Sequence, residues 1–213
     1  MNKLELTENK YLGELIVFEG VDGAGKTTMI SLTYQYLKEK YPDRNIVLLK
    51  QPSERARNSE LFKKMMFDKD HEDINYRAVQ LLTLSDRIQQ NSEIVIPLLK
   101  DNAIIICDRY LYTSIANMNG RNYKNENWFY DACKEIIKPD LTFLAFVEPD
   151  VAIKRIKSRE SEKNRYFDEK LLYRASNEFL LLASSEAMTI LDTSSSKYIP
   201  FNKIKEKLKE IGL

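Results

Sequence analysis

Gly20-Val21-Asp22-Gly23-Ala24-Gly25-Lys26-Thr27 satisfies the spacing GxxxxGK[ST]. It lies between a short apolar run and a helical run, as a phosphate-cradling loop requires. The glycines allow a tight turn and present successive N–H groups to an anion. The helix that follows adds the positive end of its dipole. Lys26 is placed to reach β- and γ-phosphates, and the Thr27 hydroxyl suits Mg²⁺. Gly20–Thr28 is therefore expected to bind a nucleoside triphosphate.

A second reactive pair ends the run Ala103–Cys107. Asp108 puts a carboxylate at the C-terminal edge of a strand, where open α/β sheets bind ligands, and there it suits a Mg²⁺–water contact opposite Thr27. Arg109 offers a guanidinium to a phosphate on the same edge. The plainer alternative is a strand-end Asp-Arg that only caps and solvates. A third stretch, Lys154–Lys170, is charged throughout and mostly basic. By itself it reads as a solvated helix end or as a basic segment that meets an anion.

These groups need elements to hold them. Apolar runs Leu15–Phe18, Ile46–Leu49, Ala103–Cys107, Leu141–Val147 and Met188–Leu191 alternate with helical patterns near Lys26–Lys40, Ile74–Gln90, Trp128–Ile137, Val151–Lys157, Glu169–Ser185 and Phe201–Ile211. That alternation predicts an α/β fold: a doubly wound parallel sheet of five strands with helices on both faces. With 213 residues the chain fits one domain, expected over 15–213. Residues 1–14 carry acids without an apolar signal core and read as a frayed end or leader.

With 31% charged and 43% hydrophobic residues, the composition is that of an ordinary globular domain. A formal net charge of +1 excludes a global field that would hold nucleic acid or an anionic membrane, so local clusters decide. Cys107 and Cys133 are too few for a disulfide framework and are expected to be reduced core residues. Apolar runs are far below membrane-spanning length, which makes a cytoplasmic protein the default expectation. Trp128 and the twelve tyrosines form no basic-aromatic stripe of the kind that binds single strands, so no nucleic-acid partner is expected. His71, the one histidine, is given no role.

Together, "IVFEGVDGAGKTT", "DRYLYTS" and "KPDLTFLAFVEPDVAIKR", in this order, resemble the thymidylate kinase family of P-loop nucleoside monophosphate kinases. The likeness runs from about Leu15 to Asp192. It implies transfer of the γ-phosphate of ATP to dTMP, with ATP and Mg²⁺ required and a homodimer as the assembly. By resemblance Asp22 contacts the acceptor sugar, although a loop Asp also satisfies local N–H groups. Arg109 touches the acceptor phosphate, and Lys50 and Arg55 both compete for a further cation there. Arg87 matches an arginine that hydrogen-bonds the acceptor base. Helical spacing adds that Gln80, Thr83, Arg87 and Gln90 share one polar face, which would otherwise be solvated.

In the family the basic stretch is a lid, here about 154–168. Because Gly23 follows Asp22, the loop supplies no arginine, so the transition-state cation is expected from the lid. Arg159 is first choice, with Arg155 and Arg165 behind it. Two positions depart from the family pattern: Thr83 stands where a phenylalanine usually stacks on the base, and Ala116-Asn117-Met118 where Ala-Tyr-Gln is common. Phe67, Tyr76, Tyr110 and Tyr112 are the rings nearby in sequence. A rival activity, phosphorylation of a deoxynucleoside, would need a carboxylate base after the second strand, for which Glu54 is the candidate. A nucleotide-binding regulator without turnover is the non-enzymatic rival.

Overall fold

The computed structural model describes residues 4–68, 73–160 and 165–213. Expectations for His71 and for 161–164 of the basic stretch lie outside them. The first half of the described chain runs β1 (Glu14–Glu19), α1 (Lys26–Lys40), β2 (Ile46–Lys50), α2 (Glu54–Arg57), α3 (Glu60–Phe67), α4 (Tyr76–Gln90), α5 (Ile96–Lys100) and β3 (Ile104–Asp108). The second half follows with α6 (Leu111–Gly120), α7 (Asn127–Cys133), β4 (Leu141–Phe146), α8 (Pro149–Lys157), α9 (Glu169–Ser185), β5 (Thr189–Asp192) and α10 (Tyr198–Glu210).

All five expected strands form, in one parallel sheet of order β2-β3-β1-β4-β5. Side chains alternate across a strand, so strands that are apolar at every position feed two cores. Leu15 and Val17 of β1 join Ile105 and Cys107 beneath α4, α6 and α9. Ile16 and Phe18 join Ile104 and Ile106 against Met29 and Leu37 of α1 and Leu208 of α10. Both cysteines are free and buried, as expected.

Local chemistry sets several boundaries. Asn75 caps α4 by accepting from the Arg77 N–H at 3.0 Å, and Asp168 caps α9 by accepting from Leu171 N–H at 3.0 Å. Beyond Gln90 the helix does not stop but passes through a π turn, Asn91–Val95, into α5. Pro97 lacks an N–H, and its ring would crowd the carbonyl one α-turn back; the wider turn relieves that.

One expectation is corrected. The stretch read as a frayed end is pinned over its described residues: Leu4 is buried, Thr7 N–H donates to Ile136 O at 2.9 Å, and Lys138 N–H donates to Thr7 O at 2.7 Å. Asn9 adds a bond to Asp140 Oδ2 at 2.8 Å. The parallel bridge between Thr7 and Ile137 stabilises an acidic segment that has no hydrophobic pattern of its own.

β1 lies between β3 and β4, so the chain leaves the sheet centre in opposite directions and opens a crevice at the C-terminal strand ends. In the register Phe18, Asp108 and Lys50 stand side by side there. Among the described residues no helix is long and apolar enough to cross a membrane.

Candidate active site

A cavity of about 530 Å³ opens at this rim. Its first wall is the loop between β1 and α1. Gly20 has φ 132°, and a Cβ there would stand 2.3 Å from Ala145 O; at Gly23, φ 79°, it would stand 2.5 Å from Ala152 O. Only glycine fits either position. The carbonyls of Gly20 and Ala24 are bonded within the protein, to Lys26 and Arg109 and to Thr193 respectively, whereas Val21, Asp22, Gly23, Gly25, Lys26, Thr27 and Thr28 line the cavity.

Lys26 is buried, and its Nζ donates to Gly20 O and Val21 O, both at 2.9 Å. Burial first, and then the Arg109 charge, bring its pKa down to about 7. Among the described residues its hydrogen bonds go to carbonyls alone. The Asp22, Asp108 and Glu19 carboxylates only partly offset burial and Arg109, which leaves an ammonium suited to meet a polyanion.

Arg109 leaves β3 with φ 69°, a left-handed turn that swings its side chain across the strand ends. Its Nη1 donates to Gly20 O and Thr113 Oγ1, both at 3.0 Å, and its Nη2 pairs with Asp22. Asp22 also meets Arg165 at 2.6 Å. Burial alone would raise the Asp22 pKa, but Arg109, Arg165 and Lys26 outweigh it and hold the carboxyl well below its usual range. Thus Asp22 ties the loop to β3 and to the basic segment.

Behind this corner Glu19 is fully buried. It accepts from Tyr110 N–H at 2.8 Å and Thr113 N–H at 3.1 Å, capping the first turn of α6. Burial raises its pKa against the opposing Thr113 bond and the Arg109 charge. Sequence reading missed Glu19; an acid ending a buried strand just before the loop was the available signal.

Asp108 lines the cavity, and its buried Oδ1 has no hydrogen-bond partner among the described residues. With the Thr27 hydroxyl on the same wall, the donors are hard oxygens of the type Mg²⁺ takes. No group of three metal-ligating side chains occurs among the described residues, so phosphate oxygens and water would have to complete an octahedron.

The second wall holds Lys50, Thr83, Arg87 and Asn117 from the expected set. The polar face of α4 is turned inward: Arg87 is 1% and Gln80 3% exposed, while Leu81 on the outside is 56% exposed. The alternative of a solvated polar face is therefore excluded. Arg87 Nη2 donates to Tyr110 O at 3.2 Å.

Besides Gly20 and Ala24, three expected residues lie outside the cavity lining. Arg55 points away, 72% exposed and 3.7 Å from Glu93. The cation that does line the cavity is Arg57, one α2 position pair further on, anchored to Pro52 O at 2.7 Å and Gln51 O at 3.2 Å. Burial, then the nearby Arg109 charge, lowers its pKa, which places two guanidiniums in one field. Tyr110 is core: its hydroxyl is used by Ile137 O at 2.7 Å, and it does not reach the cavity. Arg155 braces the loop from behind, on Gly23 O at 3.2 Å and Thr193 O at 2.9 Å. Arg159 and Arg165 do line the cavity.

Of the four nearby rings, Phe67 and Tyr76 line the cavity, whereas Tyr112 joins Tyr110 in the core. Arg121, unnoticed in sequence, lines it too, with its guanidinium 4.2 Å from the Tyr76 ring centre and bonded to Asn117 Oδ1 at 3.2 Å.

A phosphate loop after the first strand of a parallel sheet, facing a second cationic wall across one crevice, defines a P-loop nucleotide-binding protein. A family model for thymidylate kinase matches residues 18–204. The thymidylate kinase of Aster yellows witches'-broom phytoplasma is 30% identical over 204 residues, covering 92% of this chain and 97% of that one. That of Ligilactobacillus salivarius is 29% identical over 86% of this chain and 91% of the relative. That of Caldicellulosiruptor saccharolyticus is 32% identical over 68% and 70%. The chain belongs to the thymidylate kinase family.

Proposed function

We propose that the protein transfers the γ-phosphoryl group of ATP to dTMP, giving ADP and dTDP. The observation that carries this reading is one cavity whose loop wall suits a triphosphate and whose opposite wall gathers Arg57 and Arg87, with Arg109 at the corner between the two. An oxygen of the acceptor phosphate forms the new bond to Pγ as the bridging β-oxygen leaves, and no covalent enzyme intermediate is needed. Lys26 and the loop N–H groups hold the donor. Arg57 and Arg109 bring the acceptor phosphate into line, with Lys50 beside them at the rim. Arg159 is the first choice for the cation on the transferring oxygens, and Arg165, already bound to Asp22, is second.

Thr27 and Asp108 would hold Mg²⁺, whose charge screens the phosphates from one another. The basic segment acts as a lid that excludes water, favouring transfer over hydrolysis. A homodimer rests on family resemblance, and a cytoplasmic setting on apolar runs too short to span a membrane.

Phosphorylation of a free deoxynucleoside would use Glu54 as base, but Glu54 is exposed and is not among the residues lining the cavity. The test is an ADP-release screen of all ribo- and deoxynucleoside monophosphates, with thymidine alongside. Turnover of dTMP above the rest is the expected result. Turnover of thymidine without dTMP overturns the reading.

A further inference from the structure

Glu19 ends β1 with its side chain fully buried, and it is not among the residues lining the cavity. A carboxylate so enclosed has to be satisfied by the protein, and its two oxygens do different work. Oε1 accepts the Tyr110 and Thr113 N–H groups at 2.8 and 3.1 Å. Oε2 accepts the proton of the Thr113 hydroxyl. That hydroxyl in turn accepts from Arg109 Nη1 at 3.0 Å. A guanidinium only donates, so the Thr113 proton has no acceptor on the Arg109 side and turns to Glu19. The bonds therefore run one way, from Arg109 to Thr113 to Glu19, and each polarises the next.

Arg109 gives the other Nη1 N–H to Gly20 O at 3.0 Å and one Nη2 N–H to Asp22. That leaves Nε–H and the second Nη2 N–H without a partner among the described residues. Arg109 lines the cavity, so this unused edge is the one an anion can meet. Burial works against its charge, but the Asp22, Asp108 and Glu19 carboxylates outweigh burial and raise its pKa. We infer that Glu19 is a positioning residue for phosphoryl transfer: through the Thr113 hydroxyl it fixes the Arg109 guanidinium, and with it the edge offered to the acceptor phosphate. The role rests on Arg109 meeting that phosphate, as proposed above. Because Glu19 also caps α6, its test must separate positioning from architecture.

Glu19→Gln does so at nearly constant shape. The two backbone N–H groups require the amide oxygen, which turns the amide NH₂ toward Thr113 Oγ1. The hydroxyl must then accept, and its own proton loses its acceptor. In a coupled ADP assay with ATP and dTMP, kcat should fall about 10- to 100-fold, the cost of slightly misplacing a group that aligns the reactants. KM for either nucleotide should move no more than about threefold. Thr113→Val keeps the cap on Oε1 but removes the link, and should lose as much. The double variant should lose no more than about threefold further, because both changes break one chain. Thr113→Ser restores the hydroxyl and should recover most of the loss.

Circular dichroism gives the folded fraction and melting temperature of each variant. A lower melting temperature with wild-type kcat per folded molecule overturns the inference, for Glu19 would then only cap α6. So do losses that multiply in the double variant, or a Thr113→Ser protein as slow as Thr113→Val. Should Glu19→Gln fail to fold, the two Thr113 variants decide. Wild-type turnover of dTMP alongside unimpaired variants removes Glu19 alone; no wild-type turnover of any nucleoside monophosphate removes the proposed function as well.

Discussion

The two walls of the cavity are built on opposite terms. At the loop, Lys26 sits on two backbone carbonyls, Arg109 on Gly20 O, Thr113 and Asp22, and Arg155 on Gly23 O and Thr193 O. Asp108 Oδ1 is the exception, buried without a hydrogen-bond partner among the described residues. On α4, by contrast, Arg87 and Gln80 hold three buried polar atoms with no hydrogen-bond partner among the described residues. One wall is bonded within the protein; the other keeps polar atoms that a bound acceptor, as proposed above, would satisfy. Variants of the first should therefore act on rate, and variants of the second on which acceptor is taken.

The largest effect is expected at Lys26. Lys26→Ala removes the ammonium proposed to meet the phosphates, and kcat should fall about ten-thousandfold or more with the melting temperature near that of the wild-type protein. A coupled ADP assay with circular dichroism checks both. A modest fall would mean that the loop backbone alone binds and activates the donor. Next comes Arg159→Ala, for which kcat should fall about a thousandfold with acceptor KM little changed. Should Arg165→Ala show the larger fall instead, the transferring oxygens are met by the arginine that Asp22 already holds.

A smaller effect sharpens the acceptor wall. Arg57→Ala is expected to raise acceptor KM about 10- to 100-fold through loss of a charge-assisted bond. Arg55→Ala, an exposed residue with a 3.7 Å ion pair, should stay within about twofold. The reverse order would restore Arg55 to the site and remove Arg57.

The same contrast decides how far the sequence could be read. The loop, the five strands and the Asp108–Arg109 corner are local features: glycine spacing, apolar runs and a strand-end dipeptide. Their roles follow from short stretches of chain. Arg55 and Arg57 have similar side chains two residues apart, and only the start of α2 at Glu54 decides which turns inward. Tyr110 follows Arg109 directly, yet the left-handed turn at Arg109 sends its ring into the core. The polar stripe on α4 was visible, but a stripe reads the same whether it faces water or a cavity. The sheet beneath α6 and α9 decides that, because those helices close the far side of the crevice.

The smallest expected effect concerns the join between the loop and the basic segment. Asp22 lies between Arg109 and Arg165, and those charges overcome burial to hold its pKa below the ordinary 3.8. A carboxyl depressed in this way stabilises the fold fully above the ordinary carboxylate range. That contribution is lost as pH falls through it, because the unfolded chain takes up the proton first. Asp22→Asn should therefore be less stable than the wild-type protein at pH 7, by about 2 kcal/mol. The gap should begin to narrow as pH drops below about 4 and go on narrowing toward the lower value that Asp22 has in the folded chain. Urea unfolding at pH 7, 5, 4 and 3 measures it directly. A gap that is constant with pH would mean that Asp22 holds its neighbours by hydrogen-bond geometry rather than by charge. The loop wall would then be rigid for a different reason, since two guanidiniums would remain together without a carboxylate between them.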